Sequence, residues 1–288
     1  MNNSNVHLIS GLPRSGSTLL AALLKQNPQF HGGMTSPVGN LMNRMLESTS
    51  EEQEGSVFIT PEQKRELLLA VFNTYYKNQI AQGQTIFDTN RLWCSKLPLV
   101  TELFPDAKII CCVRNIAWIM DSIERLVRKN VFDVSKMFNR GEGSTVFSRT
   151  DALSQGNRMV GFAYNALKEA FYSEQADRLL LIDYDLLTCD PEQVMRLIYR
   201  FIQQPYYSHD FNNVEYAEPE FDKRLGTPGL HTVKRKVEYT LRQTVLPPDL
   251  FERFGNLTFW QDVNRSLAHV VCVQPEVSKK QMLSSLSS

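Results

Sequence analysis

The stretch Leu8-Ile9-Ser10-Gly11-Leu12-Pro13-Arg14-Ser15-Gly16-Ser17-Thr18-Leu19-Leu20 constrains the fold more than any other part of the chain. Val6 to Ser10 reads as a short buried strand and Ser17 to Lys25 as a helix, so the glycines between them must turn the backbone sharply from one into the other. Such a turn aims several N–H groups at one point and adds the positive end of the helix, which together make a seat for an anion. Gly11 and Gly16 keep the spacing of the phosphate-binding frame G-x-x-x-x-G-K-[ST] and Thr18 keeps the hydroxyl, but Ser17 stands where the lysine belongs. The loop is therefore expected to hold phosphate through Arg14, Ser15, Gly16, Ser17 and Thr18, with the Arg14 guanidinium suited to bidentate contact with phosphate or sulfate oxygens.

A second segment supports the first. Lys108-Ile109-Ile110-Cys111-Cys112-Val113 is an apolar run after one lysine, the pattern of a strand buried on both faces of a parallel sheet. It ends in Arg114, and Ser122 follows with R-x7-S spacing on what reads as a helix from Ile116 to Lys129. At about 3.6 residues per turn that step returns toward the same helix face, so arginine and hydroxyl can grip one phosphate from two sides.

Strand candidates at Val6 to Ser10, Thr85 to Asp88, Lys108 to Val113 and Leu179 to Asp183 alternate with helical stretches at Ser17 to Lys25, Pro61 to Gln82, Leu92 to Leu103, Ile116 to Lys129, Ala152 to Gln175 and Pro191 to Ile202. The alternation predicts an α/β fold, a parallel sheet flanked by helices on both faces. Ligands of such sheets sit beyond the carboxyl ends of the strands, where Arg14, Asp88, Arg91, Arg114 and Tyr184 all fall. Glu47 to Gly55 and Phe138 to Thr150 read as polar loops. Residues 1–272 are expected to form one domain and 273–288 a disordered tail.

Lysine plus arginine equals aspartate plus glutamate at 31 each, so no global basic field points to nucleic acid and the anion site must be local. The five cysteines lack metal-ligand spacing and read as reduced core residues, no carboxylate cluster has magnesium-site spacing, and no metal is expected. No apolar run reaches the ~20 residues of a membrane span, and the first residues lack signal-peptide character; a cytoplasmic location is the expectation.

Pro13-Arg14-Ser15-Gly16-Ser17-Thr18 resembles the 5′-phosphosulfate loop P-[KR]-[SA]-G-[ST]-[ST] of sulfotransferases that use PAPS (3′-phosphoadenosine 5′-phosphosulfate), and the Arg114/Ser122 pair resembles that family's 3′-phosphate site. Asp183-Tyr184-Asp185-Leu186-Leu187 resembles its Y-E-[DQ]-L segment, which implies that Tyr184 lies near the nucleotide. Phe104-Pro105-Asp106-Ala107-Lys108 resembles the F-P-x-A-K lead of tyrosylprotein sulfotransferases, and the start of the chain resembles bacterial tyrosine sulfotransferases. Gly226 to Lys234 resembles a G-x-P-G segment of the tyrosylprotein enzymes that precedes a serine and a lysine, which implies nucleotide contacts for Thr232 and Lys234. The resemblance implies sulfuryl transfer from PAPS to a hydroxyl of a small molecule or tyrosine peptide, with 3′,5′-ADP as product and Arg91 as the cation that family members supply as lysine. A homodimer stays open as an assembly.

Two departures concern the general base. Thr35 stands where tyrosylprotein sulfotransferases have a glutamate, and Phe87-Asp88-Thr89-Asn90-Arg91-Leu92-Trp93 contains no K-x-H segment of the cytosolic kind. His31, Asp88 and His231 are the remaining candidates, with Asp88 favoured because strand ends converge on the site. The alternatives are a small-molecule kinase with a degenerate loop, which needs ATP and magnesium, and a non-catalytic nucleotide-binding protein.

Overall fold

The computed structural model describes residues 5–130, 136–224, 229, 231–233 and 235–272. The expected tail at 273–288 lies outside them. A six-stranded, wholly parallel sheet runs through the molecule in the order β2-β3-β1-β4-β5-β6. The strands are β1 (Val6–Gly11), β2 (Phe30–Gly32), β3 (Thr85–Thr89), β4 (Ile109–Val113), β5 (Leu179–Asp183) and β6 (His269–Val271).

Alternation along the inner strands builds two cores. Leu8, Ile109, Cys111, Val113, Leu179 and Leu181 face one side, against the helices Pro61–Tyr75, Ile116–Lys129, Met159–Phe171 and Pro248–Gly255. Ile9, Ile110, Cys112, Leu180 and Ile182 face the other, against Ser17–Leu24 and Pro191–Phe201. Continuous apolar runs are what strands covered on both faces require. β3 and β4 flank β1 on opposite sides, so the loops after these strands open into one crevice where the topology switches direction. Among the described residues no helix is long and apolar enough to cross a membrane.

Several expected helices divide, each for a local reason. Pro61 to Gln82 becomes Pro61–Tyr75 and Lys77–Ala81, hinged at Tyr76, whose hydroxyl donates inward to Asp88. Leu92 to Leu103 becomes Leu92–Ser95 and Leu97–Leu103, because Pro98 has no N–H to continue the ladder. Ala152 to Gln175 becomes Val146–Ser154 and Met159–Phe171; the carbonyls of Ser154 and Gln155 press on Gly161, where a Cβ would come within 2.3 Å of them. The helix Val146–Ser154 also takes over the end of the polar stretch expected as loop, started by a capping box between Thr145 and Ser148. The three-residue edge strands β2 and β6 and the helix Val38–Ser48 were absent from the sequence expectations.

Candidate functional site

The loop between β1 and the helix Ser17–Leu24 is held in a shape that few sequences permit. Gly11 has φ 104°, and a Cβ there would lie 2.2 Å from the Cys112 carbonyl oxygen on the adjacent strand. Gly16 has φ 95°, and a Cβ there would meet the Tyr184 ring at 2.8 Å. Between them Arg14 has φ 57°, a left-handed conformation that costs an L side chain about 1 kcal/mol or more. The Ser15 hydroxyl donates to the carbonyls of Leu12 and, at 2.9 Å, Cys112, so it ties the loop to β4 and leaves only its backbone for an anion. No side chain caps the helix at Gly16, and Ser17 and Thr18 stand half-buried in its first turn. The N–H groups of that turn have no intrahelical acceptor.

Both phosphate motifs meet here. Arg14 donates from Nε to Ser122 Oγ at 3.1 Å, Arg114 donates from Nη1 to the Arg14 carbonyl at 3.4 Å, and the Arg114 guanidinium lies 4.2 Å from the Tyr184 ring centroid. The buried Nε of Arg114 has no hydrogen-bond partner. Arg14 is lowered from its usual pKa first by burial and then by the Arg114 charge, with Tyr184 and Asp222 opposing. A half-buried cation beside a second one is stabilised by an anion between them. Ser122 was expected to share a phosphate with Arg114; its hydrogen-bond partner here is Arg14, which ties the glycine loop to the helix Ile116–Lys129.

Arg242 joins this group and escaped the sequence reading. Asp121, fully buried on the helix Ile116–Lys129, binds Arg242 at 2.8 Å and Arg125 at 2.9 Å, and accepts from the Thr244 hydroxyl and the Val245 N–H. The carboxylate thereby clips the segment 242–245 onto that helix and brings a further positive charge to Arg114. Only an acid one helix turn from Arg125 and one residue before Ser122 hinted at it in the sequence.

Arg91 stands at the start of the helix Leu92–Ser95, where its carbonyl accepts from the Ser10 hydroxyl of β1 at 3.3 Å. Its side chain is reached by solvent, yet the protein crowded around it lowers its pKa by desolvation, which is how a group in a concavity behaves. His231 lies within electrostatic reach of both Arg14 and Arg91. Its Nδ1 is 2.5 Å from Oδ1 of buried Asp222, and its backbone N–H donates to Asp222 Oδ2 at 3.0 Å. Asp222, on the short helix Pro219–Arg224, was not singled out in the sequence. Thr232 is exposed next to His231, whereas Gly226, Thr227, Pro228, Leu230 and Lys234 lie outside the described residues.

Asp88 and His31 belong to a separate cluster. Asp88 is wholly enclosed: Oδ2 accepts from the Ser36 hydroxyl and, at 2.6 Å, from Tyr76, while Oδ1 accepts from the Trp93 indole at 2.7 Å. Burial raises its pKa, and the three donors only oppose that. A carboxylate with no exposure and three donors has no face for an acceptor proton, so the favoured candidate base becomes a brace for β3. His31 lies on β2 with its ring edge-on to Tyr76 at 5.6 Å; burial first, then Lys25, lowers its pKa. Its charged neighbours are Lys25 and Asp88, not the site arginines.

The sulfotransferase family model matches residues 8–208. The chain therefore belongs to the sulfotransferase family. It is similar to protein-tyrosine sulfotransferase 1 of Danio rerio, 25% identical over 240 residues that cover 81% of this chain and 61% of that protein. It is also similar to the protein-tyrosine sulfotransferase of Drosophila melanogaster, 26% identical over 258 residues, 84% of this chain and 45% of that protein. The chain thus spans about half to three-fifths of the length of these curated relatives. Among solved structures, the sulfotransferase domain of the Synechococcus PCC 7002 olefin synthase aligns over 86% of this chain and 94% of its own, at 20% identity and a TM-score of 0.49.

Proposed function

We propose that this protein moves a sulfuryl group from PAPS to a hydroxyl acceptor, a phenol or a tyrosine in a peptide, and releases 3′,5′-ADP. The observation that carries this reading is the unpartnered, buried Arg114 Nε, set with Ser122 and the Tyr184 ring beside the glycine loop. A loop alone suits any nucleotide phosphate; a second cationic seat suits a nucleotide with phosphate at two ends. The residues present fit such a donor. The loop amides, Ser17, Thr18 and Arg14 would hold its 5′ end, Arg114 with Ser122 and Arg242 its 3′-phosphate, and Tyr184 would pack against the nucleotide.

Charge builds on the leaving and equatorial oxygens as such a transfer proceeds, so fixed cations and N–H donors supply most of the stabilisation. Arg14, the N–H groups of the first helical turn and Arg91 would supply them. What supports a phenolic acceptor is the likeness to protein-tyrosine sulfotransferases. The five cysteines are free, in keeping with a reducing compartment as part of the proposal.

The test is thermal stabilisation by 3′,5′-ADP, 5′-AMP and ATP with magnesium, followed by transfer from labelled PAPS to phenols, tyrosine peptides and aliphatic alcohols. Selective stabilisation by 3′,5′-ADP with sulfated phenol is expected. Stabilisation by ATP with magnesium instead means a kinase, and 3′,5′-ADP binding without transfer to any acceptor means a nucleotide-binding protein.

A further inference from the structure

We propose that His231 and Asp222 form the proton-accepting pair of this site: His231 Nε2 takes the proton of the acceptor hydroxyl while Asp222 holds the ring from behind. The inference rests on the sulfuryl-transfer reading and assigns the one role that reading leaves empty.

The pair is built as an oriented base. Asp222 is 2% exposed and receives two hydrogen bonds from the same residue, the backbone N–H of His231 on one oxygen and the ring Nδ1 on the other. Its own N–H is tied to the Glu218 carbonyl at 3.1 Å, and the Phe221 ring packs edge-on against the imidazole with centroids 5.5 Å apart. The Nδ1 proton donated to Asp222 fixes the tautomer, which leaves the Nε2 lone pair as an acceptor. Backbone and ring are thus clamped together by one carboxylate.

The surroundings favour a neutral imidazole. The charged groups facing it are Asp222 from the helix Pro219–Arg224, Arg14 from the glycine loop and Arg91 from the end of β3. Burial lowers the His231 pKa most, both arginines lower it further, and Asp222 opposes them. A histidine whose pKa is lowered within electrostatic reach of Arg14 and Arg91 offers a neutral imidazole beside the cations proposed to face the transferring group. The other candidate bases do not compete: Asp88 is sealed by three donors, and His31 has Lys25 and Asp88, not the site arginines, as its charged neighbours.

In the step itself the acceptor oxygen forms its bond to sulfur and its proton passes to His231 Nε2. The bond between sulfur and the bridging oxygen breaks, and the electron pair stays on the phosphate of departing 3′,5′-ADP. Asp222 stabilises the imidazolium that results, and solvent takes the proton after release.

The experiment compares wild type, His231→Gln and Asp222→Asn with two phenols, one of pKa about 10 and one nitrophenol of pKa about 7, across pH, with 3′,5′-ADP affinity measured on each protein. Both variants are expected to lose about 10²- to 10⁴-fold in kcat/KM toward the weakly acidic phenol and to lose the acidic limb of its pH profile. With the nitrophenol, already ionised near neutrality, the loss should shrink to within about tenfold, because no proton remains to be taken. Unchanged 3′,5′-ADP affinity identifies folded, nucleotide-competent variants. Equal losses on both phenols, or an unaltered pH profile, overturn the pair while the sulfotransferase reading stands. A wild type that transfers no sulfate to any acceptor overturns that reading and the pair with it.

Discussion

Two clusters of polar side chains stand at the carboxyl ends of the same sheet, and they differ in what they leave unsatisfied. Around Asp88 every strong acceptor is met: Ser36, Tyr76 and Trp93 donate, and the carboxylate is closed off from solvent. Around Arg14 and Arg114 cations gather with Arg242, the Nε of Arg114 and two nitrogens of Arg242 have no hydrogen-bond partner, and the helix beyond Gly16 starts without a side-chain cap. A closed cluster stabilises the fold, and an open one keeps its donors for a ligand. Position at a strand end is shared by both, so position alone does not separate brace from site.

Arg14→Ala gives the largest expected effect on the open side. Turnover should fall about 10²- to 10³-fold, because charge on the transferring group is greatest in the transition state. Retained turnover with only weakened 3′,5′-ADP binding would make Arg14 a binding residue. On the closed side, Asp88→Ala strands three buried donors and should lower unfolding stability by roughly 3 kcal/mol or more in denaturant titration. 3′,5′-ADP affinity of the folded fraction should stay unchanged; a variant of normal stability and lost turnover would return Asp88 to the chemistry.

Arg114→Ala should cost about 1.5–3 kcal/mol of 3′,5′-ADP affinity and little of 5′-AMP affinity, measured by calorimetry. His7, at the far end of β1, supplies the control for orphaned atoms. It is buried, accepts from the Lys108 N–H at 3.3 Å, and leaves Nε2 without a partner, yet it faces the sheet interior against Phe87 rather than a crevice. Burial, and then the Lys108 charge, lowers its pKa from 6.5 to about 4. A depressed folded-state value means the unfolded chain binds the proton more tightly, so this contribution is present above pH 6.5 and lost as pH falls toward 4. His7 alone should take about 2 kcal/mol from unfolding stability between pH 7 and pH 5, and His7→Phe should remove that part of the dependence while His209, also lowered by burial to about 4, keeps its own.

The parallel sheet and the loop were legible in the sequence because they rest on local pattern: apolar runs at β1, β4 and β5, and glycines whose backbone angles no other residue tolerates. The edge strands β2 and β6 are three residues each, too short for a period to register. Asp88 misled because its closure depends on Tyr76 and Ser36, which reach it from separate segments that the sequence does not align. Asp222 and Arg242 escaped because neither sits in a motif of its own: Asp222 acts through His231, nine residues along, and Arg242 through Asp121, distant in the chain.

The most direct measurement is calorimetric titration of the wild-type protein with 3′,5′-ADP and with 5′-AMP under matched salt. A second anion seat around Arg114, Ser122 and Arg242 predicts at least tenfold tighter binding of 3′,5′-ADP, the preference expected of about one charge-assisted contact. Equal affinity for the two nucleotides would contradict the account, because the open cluster would then hold nothing that the glycine loop does not hold alone.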